Sequence, residues 1–232
     1  MATIPPEWPR WEVGEVVGYL HGASNATLFA HLVDGTPVVY KPVRGETPLW
    51  DFPEETLAAR EVLAHTVSER SGLAVVPETR WAEGPYGPGS AQRFVDEDPA
   101  LDQRALLHPV MDARLWPIAV LDVVTNNADR KLGHVLPTTD GRLWAIDNAL
   151  TFHPEAKLRT VLWGFAGRPL PNEMVGVLER LVGCLDELED VVGSWLGPSE
   201  ATMLRRRVLS LQTMARHPEP PVDRPPLPWP VW

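Results

Sequence analysis

The sequence predicts an α+β protein of two lobes: a small lobe rich in antiparallel β-strands with one helix, and a mostly helical lobe. Short apolar runs separated by turn signals occupy residues 11–95, whereas helical periodicity dominates residues 96–216. A chain of 232 residues, 44% of them hydrophobic, can form two small lobes with a real core. Residues 1–10 should form an irregular arm, and the proline-rich residues 217–232 a tail.

The first lobe should open with a three-stranded antiparallel meander. Three runs have strand composition, namely residues 13–20, 26–33 and 36–42. Asp34-Gly35 is a hairpin turn signal between the last two runs. Two further strands are expected over residues 75–81 and 91–95, on either side of a Gly/Pro loop.

One helix is predicted in the first lobe, over residues 54–71, because this stretch has helix-forming composition. Pro53 lies near its first turn and Gly72 just past its end, which are the usual positions of these residues at helix boundaries. Glu54 and Glu55 are interpreted as favourable charges at the helix N-terminus.

The second lobe should contain three helical stretches and one hairpin. Helical patterns cover residues 101–124, with breaks before Pro109 and Pro117, and then residues 172–189 and 198–216. A strand around Val135, a turn at Asp140-Gly141 and a strand over 142–146 predict the hairpin. The tail should be extended or polyproline-like.

Charge and composition narrow the function classes. The net charge of −10 disfavours nucleic acid as a partner, and it disfavours stable binding to anionic membranes, which needs clustered Lys and Arg. Cys184 is the one cysteine, so we expect no internal disulfide and no cysteine metal cluster, which fits a cytoplasmic setting. We expect neither a membrane span nor a signal peptide, since no long apolar run is present.

Polar residues cluster in the middle of the second lobe. The run from Asp122 to His134 reads D-V-V-T-N-N-A-D-R-K-L-G-H, and 13 positions later an apolar strand ends on Asp147. Antiparallel pairing of the hairpin should bring Asn127, Asp129 and His134 close to that last acid. Side-chain oxygens that converge at one point suit Mg²⁺ or Mn²⁺. The alternative is a polar loop in which Asp and Asn only form local hydrogen bonds.

Lys41 and Glu61 form a second candidate pair. Lys41 ends an apolar strand, where a lysine either snorkels to solvent or points inward to a phosphate. Glu61 has small and apolar neighbours on its helix face, so it should point inward and need a cation. Lys41 is the first candidate for that cation, and Arg60 or Arg93 could compete.

Two segments of the first lobe could contact a nucleotide. The glycine-containing link over residues 18–25 offers backbone N–H groups and the Ser24 hydroxyl to phosphates, although an ordinary turn is the simpler interpretation of this segment. Gln92, Phe94 and Val95 belong to an extended linker where the lobes should join, and such a linker can present backbone groups to an adenine edge.

A basic loop follows Asp147 in the second lobe. His153, Lys157 and Arg159 lie beside the expected metal site and could hold an acceptor or product phosphate. The alternative for this loop is an ordinary solvated surface.

The order of these features resembles the protein-kinase-like fold. The Asp129-Arg130-Lys131 loop is similar to the Asp-Arg-His loop of phosphatidylinositol 3- and 4-kinases and of HipA-type serine/threonine kinases. The chain as a whole resembles the short actinobacterial proteins grouped with the phosphatidylinositol 3-/4-kinase family. The resemblance covers residues 13–165, and its specific parts are residues 126–134 and 157–164.

The resemblance implies roles for individual residues in an ATP-dependent phosphotransferase. Lys41 would contact the α- and β-phosphates, and Glu61 would orient it. Asp129 would position or deprotonate the acceptor hydroxyl, and Asp147 would bind the metal that bridges the phosphates.

One position departs from the family pattern. Where the family has an asparagine as second metal ligand, five residues after the loop Asp, this chain has His134. Imidazole suits Mn²⁺ better than Mg²⁺. We therefore expect either a preference for Mn²⁺ or a contribution of Asn127 in place of His134. Lys131, where the family has a histidine, would balance charge on the transferred phosphoryl group.

The acceptor and the activity itself remain open at the level of sequence. The acidic chain favours a protein hydroxyl or a small soluble polyol over a lipid head group, because its one dense basic run, residues 205–207, lies in a helix expected to pack inward. The alternative is a pseudokinase that binds nucleotide as a regulatory module. In that case the proline-rich tail would contact a partner or its own lobes.

Overall fold

Five strands at the start of the chain close into a small barrel. The computed structural model describes residues 8–20, 25–108 and 110–231. The strands are β1 (Arg10–Tyr19), β2 (Leu28–Leu32), β3 (Pro37–Pro42), β4 (Thr79–Gly84) and β5 (Gly87–Arg93), in the order β1-β2-β3-β5-β4. The expected meander is present as β1 to β3. The sheet is mostly antiparallel, as expected, but one pair was not foreseen: Arg10–Glu12 of β1 lies parallel to β4 and closes the barrel.

Alternating side chains fill the barrel. On β2, Leu28, Ala30 and Leu32 are buried, and on β3 the same holds for Val38 and Tyr40. Because successive residues of a strand face opposite sides, this alternation turns Lys41 away from the barrel interior. Strand β5 approaches Lys41 closely at Gly89, where a Cβ atom would lie 2.3 Å from the Lys41 carbonyl oxygen.

Helix α1 (Leu57–Ser71) ends as expected at Gly72, which has a left-handed φ of 75°. Its start differs from the prediction, because Pro53, Glu54 and Glu55 precede the helix. The carboxylate of Glu46 occupies the N-terminus instead: it accepts hydrogen bonds from the backbone N–H groups of Leu57 (3.2 Å) and Ala58 (2.8 Å). A residue eleven positions upstream therefore caps α1.

Glu46→Ala should lower the free energy of unfolding by about 1 kcal/mol, because two helix N–H groups lose their acceptor. For a chain of this size the melting temperature should fall by about 2–4 °C. Thermal melts followed by circular dichroism measure the change. Glu54→Ala is the matched control and should leave the melting temperature within about 1 °C, since surface substitutions have small effects. Equal shifts for the two variants would contradict the capping role.

The helical part begins with two short 3₁₀ helices, Gln103–Leu106 and Ala113–Leu115, rather than one long helix. Helix α2 (Trp116–Thr125) follows, and Pro117 lies in its first turn, where a proline needs no N–H partner, so it does not break the helix. The stretch predicted as one helix over 172–189 is divided into α3 (Asn172–Gly183) and α4 (Leu185–Trp195). Helix α5 spans Pro198–Met214.

The hairpin of the helical part consists of β6 (Val135–Pro137) and β7 (Leu143–Ala145). The largest hydrophobic cluster joins α1 to helices α2–α5, so the helix of the expected first lobe shares its core with the second. The observed architecture is thus a strand-rich N-terminal part and a helical C-terminal part. The exact boundaries at residues 95 and 216 stay a prediction. None of the described helices is long and apolar enough to cross a membrane.

Candidate functional site

Lys41 lies at the centre of a group of charged side chains between the barrel and the helical part. Its Nζ atom contacts Glu61 Oε1 and lies 2.9 Å from Asp147 Oδ1. The second Glu61 oxygen accepts a 2.9 Å hydrogen bond from the backbone N–H of Asn148. Glu61 is 2% exposed, as expected for an inward-pointing residue on this helix face. The structure therefore pairs Glu61 with Lys41, and neither Arg60 nor Arg93 takes that place.

The β6–β7 hairpin brings His134 to Asp147. Val135 pairs with Ala145, and the N–H of Ile146 donates to the His134 carbonyl at 3.0 Å. This register places His134 Nε2 3.3 Å from Asp147 Oδ2. Asp147 lies two residues past the end of β7 and has a left-handed φ of 55°, a conformation that residues other than glycine rarely adopt.

Asp129 lies on the loop that follows α2. We call residues 129–134 the Asp129 loop. The carboxylate of Asp129 forms an ion pair with Lys131 Nζ at 2.9 Å. Asp129 and Asp147 both line a chamber of about 140 Å³, together with Lys41. The two aspartates expected from the sequence thus border the same space.

Asn127 does not reach this chamber. It is fully buried, its Oδ1 accepts from the Asp129 N–H (2.9 Å), and its Nδ2 donates to Asp122 Oδ1 (3.1 Å). The expectation that Asn127 contributes to a metal site does not match this geometry. Its amide instead shapes the turn that presents Asp129.

A buried ion pair supports the Asp129 loop from behind. The Arg130 guanidinium donates to both Asp122 oxygens, at 3.0 and 3.2 Å, and both side chains are almost fully buried. Arg130 also donates to the Ile146 carbonyl at 2.8 Å and to Asn148 Oδ1. It therefore ties α2 to the chain on both sides of Asp147. Sequence reasoning missed this brace, although an aspartate inside the apolar helix α2 was a signal for a buried partner.

Burial and neighbouring charges shift the pKa values of the site. Burial alone would lower the pKa of Lys41, but Asp147 and Glu61 outweigh it and raise that pKa. The Lys41 charge holds the pKa of Asp147 well below its usual range. Burial lowers the pKa of His134 to about 4. It also raises the pKa of Asp129, an effect that the Lys131 charge opposes. The ammonium and the Asp147 carboxylate are therefore charged at neutral pH, and His134 is a neutral imidazole.

A larger cleft of about 540 Å³ adjoins Lys41 and Asp147 on the other side. Val39 from the barrel and Leu136 and Ile146 from the hairpin give it apolar walls. Phe94 and Val95 line it near the connection between the two parts. Charged side chains line it at both ends, Lys41 and Asp147 at one and Arg93, Asp96 and Glu97 at the other, so the cleft combines apolar walls with polar groups, as small-molecule sites do.

Gln92 belongs to strand β5 rather than to a linker, because β5 continues to Arg93. Its Nε2 donates to Thr79 Oγ1 at 2.9 Å, and the residue contributes to the lining of the cleft. The Phe94 N–H donates to the Pro37 carbonyl at 3.1 Å, so this backbone group is already used within the barrel. Ser24 lies outside the described residues, and its expected contact with phosphate stays a prediction.

The basic loop after Asp147, which carries His153 and Lys157, contacts the segment around Asp51. Lys157 Nζ lies 2.8 Å from Asp51 Oδ2, and His153 Nε2 lies 2.8 Å from the Asp51 carbonyl. Phe52 packs between the His153 ring and the Arg60 guanidinium. We call residues 46–56, which carry Asp51 and Phe52, the bridging loop. Because these partners occupy Lys157 and His153, the structure does not favour the open phosphate site expected there.

The donor set for a metal ion is small. Within the described ranges, no group of three or more His, Cys, Asp and Glu side chains could enclose a cation. Asp147 Oδ2 and His134 Nε2 are nevertheless adjacent, and His134 Nδ1 is buried without a hydrogen-bond partner. One carboxylate and one imidazole fit a divalent ion that takes its remaining ligands from a bound phosphate chain and water.

Comparison with known proteins identifies one close relative in sequence. Protein Rv2133c of Mycobacterium tuberculosis is 38% identical over 256 aligned positions, which cover 94% of this chain and 91% of the relative. No protein-family model matches the sequence.

Two solved kinases share the fold. The Helicobacter pylori proinflammatory kinase CtkA matches with a TM-score of 0.60 and 12% identity, over 88% of this chain and 96% of that one. A Golgi casein kinase, solved with Mn/ADP, matches with a TM-score of 0.57 and 12% identity, over 88% and 73% of the two chains. The chain therefore has a protein-kinase-like fold. The narrower resemblance to phosphatidylinositol 3-/4-kinases and HipA-type kinases stays a prediction.

Proposed function

This chain belongs to the same family as the mycobacterial protein Rv2133c, and we propose that it is a phosphotransferase that uses ATP and a divalent metal ion to phosphorylate a hydroxyl group. The observation that carries the proposal is the convergence of Lys41, Glu61 and Asp147 at the junction of two adjoining spaces. One is a cleft whose apolar walls, Val39, Leu136 and Ile146, suit a base, and the other is a chamber bordered by Asp129.

The nucleotide would lie across this junction. Its base would enter the cleft between Val39 and Ile146, and its phosphates would reach Lys41, the ammonium that Glu61 orients. Catalysis of phosphoryl transfer depends mainly on positioning and charge stabilisation, which a fixed ammonium between two carboxylates can provide. That the Golgi casein kinase was solved with Mn/ADP supports a nucleotide and a divalent metal as cofactors of this fold.

Asp147 and His134 are the residues that would hold the metal ion. When bound, Mg²⁺ or Mn²⁺ would neutralise charge on the phosphate oxygens. The imidazole ligand favours Mn²⁺ over Mg²⁺. His134 would enter the site as a neutral ring, which is the form that binds metals.

Asp129 would receive the acceptor. Burial raises the pKa of its carboxylate, and the carboxylate lines the chamber next to Lys41, where a general base would be needed. An acceptor hydroxyl placed there would donate its proton to Asp129 while its oxygen attacks the terminal phosphorus in line. The bond from that phosphorus to the β-phosphate oxygen would break, and ADP would leave. Lys131, 2.9 Å from Asp129, would hold the carboxylate and balance the transferred charge.

The acceptor is best described as a protein hydroxyl or a small soluble polyol. The lining of the chamber includes four carboxylates, those of Glu46, Glu61, Asp129 and Asp147, against the one ammonium of Lys41. Such a lining repels an anionic acceptor, including a phosphorylated lipid head group.

A nucleotide-binding module without turnover is the second candidate. It is favoured by two observations: His134 stands where the resemblance places an asparagine, and Lys131 already pairs with the proposed base. The two candidates share nucleotide binding and differ in turnover. Release of ADP from γ-labelled ATP, or self-labelling with Mg²⁺ or Mn²⁺, therefore separates them. A rise in melting temperature with ATP and metal but no ADP release would favour the module.

Asp129→Asn should reduce ADP release by about 10²–10⁴-fold, the usual effect of removing a general base. Stabilisation by ADP and Mn²⁺, measured by thermal shift, should be retained, because Asp129 does not line the larger cleft. Asp140→Asn, an exposed change in the turn of the hairpin, is the control and should keep full activity. Unchanged ADP release by Asp129→Asn would remove Asp129 from the proposed mechanism.

A further inference from the structure

We propose that residues 222–231 of the proline-rich tail, which we call the C-terminal strap, fix the conformation of the Asp129 loop for phosphoryl transfer. The proposal rests on the proposed function and extends it to how the site is positioned. In the structure the strap has no helix or strand of its own. It lies along the helical part, where two of its carbonyl groups accept hydrogen bonds from the loop and from the segment beside it.

The first contact holds one peptide unit of the Asp129 loop. The N–H of Leu132 donates to the Val231 carbonyl at 3.1 Å. On the other side of the same peptide unit, the Lys131 carbonyl accepts from the His134 N–H at 3.2 Å. The peptide group between Lys131 and Leu132 is therefore held at both its oxygen and its nitrogen.

This peptide unit directly follows the Cα atom of Lys131, the residue whose side chain pairs with the proposed base, Asp129. Lys131 Nζ lies 2.9 Å from Asp129 Oδ2, so the backbone at 131–132 positions the residue whose ammonium pairs with Asp129. Without Val231, the Leu132 N–H loses its acceptor in a place where Leu132 itself is buried. Loss of this hydrogen bond removes a contact that favours the observed conformation, so the loop can adopt others.

The second contact lies one layer further from the site. The Pro226 carbonyl accepts from the Thr160 N–H at 3.1 Å and from the Trp163 indole N–H at 2.8 Å. Thr160 belongs to the segment that pairs with Arg130, since Arg130 N–H donates to the Arg159 carbonyl and Val161 N–H to the Arg130 carbonyl. The strap therefore binds the segment 159–161, and that segment binds the backbone of Arg130, the residue that follows Asp129.

The composition of the strap suits this role. Four of its residues are prolines, Pro225, Pro226, Pro228 and Pro230, which lack an N–H and have a fixed φ. Such a segment can only accept backbone hydrogen bonds at these positions, and Pro226 accepts two, from the Thr160 N–H and the Trp163 indole. A proline-rich segment is also largely extended before it docks, so it loses little conformational entropy.

The chain is attached just before the strap, where His217 packs among three aromatic rings, those of Trp116, Trp163 and Phe165. The Gly167 N–H donates to the His217 carbonyl and the His217 N–H to the Arg168 carbonyl, both at 3.0 Å. A deletion that begins at residue 222 therefore leaves this attachment in place and removes the strap alone.

The test compares the full chain with a variant that lacks residues 222–232. Hydrogen exchange should show faster exchange at Leu132 and Thr160 in the deletion variant, with unchanged exchange in α2. ADP release should fall about tenfold or more, since a misplacement of about 1 Å in an active site can lower rates by 10²-fold. Stabilisation by ADP and Mn²⁺ should remain. A synthetic peptide of residues 222–232, added in excess, should restore both protection and turnover.

Two smaller changes keep the test valid if the deletion variant does not fold. Removal of residues 230–232 deletes one of the two accepting carbonyls, that of Val231, and keeps that of Pro226. Trp163→Phe removes the indole donor to Pro226 while it keeps a ring. Trp144→Phe, the same substitution on β7, is the matched control. The first two variants should lower turnover and amide protection of the loop, and the control should change neither.

The outcomes separate this proposal from the proposed function. If the deletion leaves hydrogen exchange at Leu132 unchanged, the proposed role of the strap is wrong, whether or not the chain has activity. A deletion variant with higher ADP release would also overturn it, because the tail would then be an inhibitor that covers the acceptor site. Faster exchange at Leu132 in a protein whose full chain releases no ADP supports the contact and instead contradicts the phosphotransferase.

Discussion

Asp147→Asn is expected to reduce ADP release by at least about 10³-fold and to abolish the metal-dependent part of nucleotide binding. Asp147 contacts Lys41 with one oxygen and faces His134 with the other. The amide keeps the size of the side chain but loses the charge that both a metal ion and Lys41 require. The Lys41 ammonium would then have Glu61 as its one charged partner, so its position would be less well fixed.

Calorimetric titration of ADP, with and without Mn²⁺, measures the binding effect. The wild-type chain should bind ADP more tightly when Mn²⁺ is present, and Asp147→Asn should bind ADP equally in both conditions. Asp129→Asn should retain the dependence on Mn²⁺, which separates a metal ligand from a base. Asp140→Asn controls for the loss of an acidic residue in the same hairpin. A metal-dependent gain that survives in Asp147→Asn would show that the ion is held elsewhere.

Asp122→Ala should produce the largest loss of stability, about 3–5 kcal/mol, because it leaves the Arg130 guanidinium buried without its counter-charge. Both side chains have an exposure of 0–1%. Chemical denaturation with urea measures the free energy of unfolding. Asp140→Ala is the matched control: its partner Arg142 lies 3.6 Å away and both side chains are more than half exposed. An exposed pair contributes about 0–1 kcal/mol.

A double variant separates two effects of losing the Asp122–Arg130 pair: an unpaired buried charge, which lowers stability, and the lost hydrogen bonds of Arg130 around Asp147, which lower activity. Asp122→Leu with Arg130→Met removes both charges, and it should recover a large part of the stability because no unpaired charge remains buried. It should not recover turnover, since Arg130 also binds the Ile146 carbonyl and Asn148 on either side of Asp147. If Asp122→Ala were as stable as Asp140→Ala, the pair would not brace the site.

The parts of the structure that the sequence predicted correctly depend on neighbours along the chain. Strand alternation and the Asp34-Gly35 turn are local, and they predict β2 and β3 within a few residues. The hairpin that brings His134 to Asp147 also has a local cause, its short turn. The inward direction of Glu61 followed from the residues three and four positions away on α1.

The parts that the sequence did not predict depend on residues far apart in the chain. The parallel contact of β1 with β4 closes the barrel between residues about 70 positions apart, for instance Arg10 and Trp81. Glu46 caps a helix from upstream, where no local pattern marks it. Asn127 was expected in the site because its amide suits a metal, but the buried Asp122 and the Asp129 backbone compete for that amide and bind it.

The bridging loop has a consequence for how the cleft opens. It fastens the barrel to the helical part through Asp51 and Lys157, on side chains that are 14% and 10% exposed. The chain connection near Val95 joins the same two bodies a second time. A body joined to its neighbour at two separate places cannot swing freely about either one. We therefore expect nucleotides to enter and leave through the mouth of an almost rigid crevice, without a hinge movement that separates the two bodies.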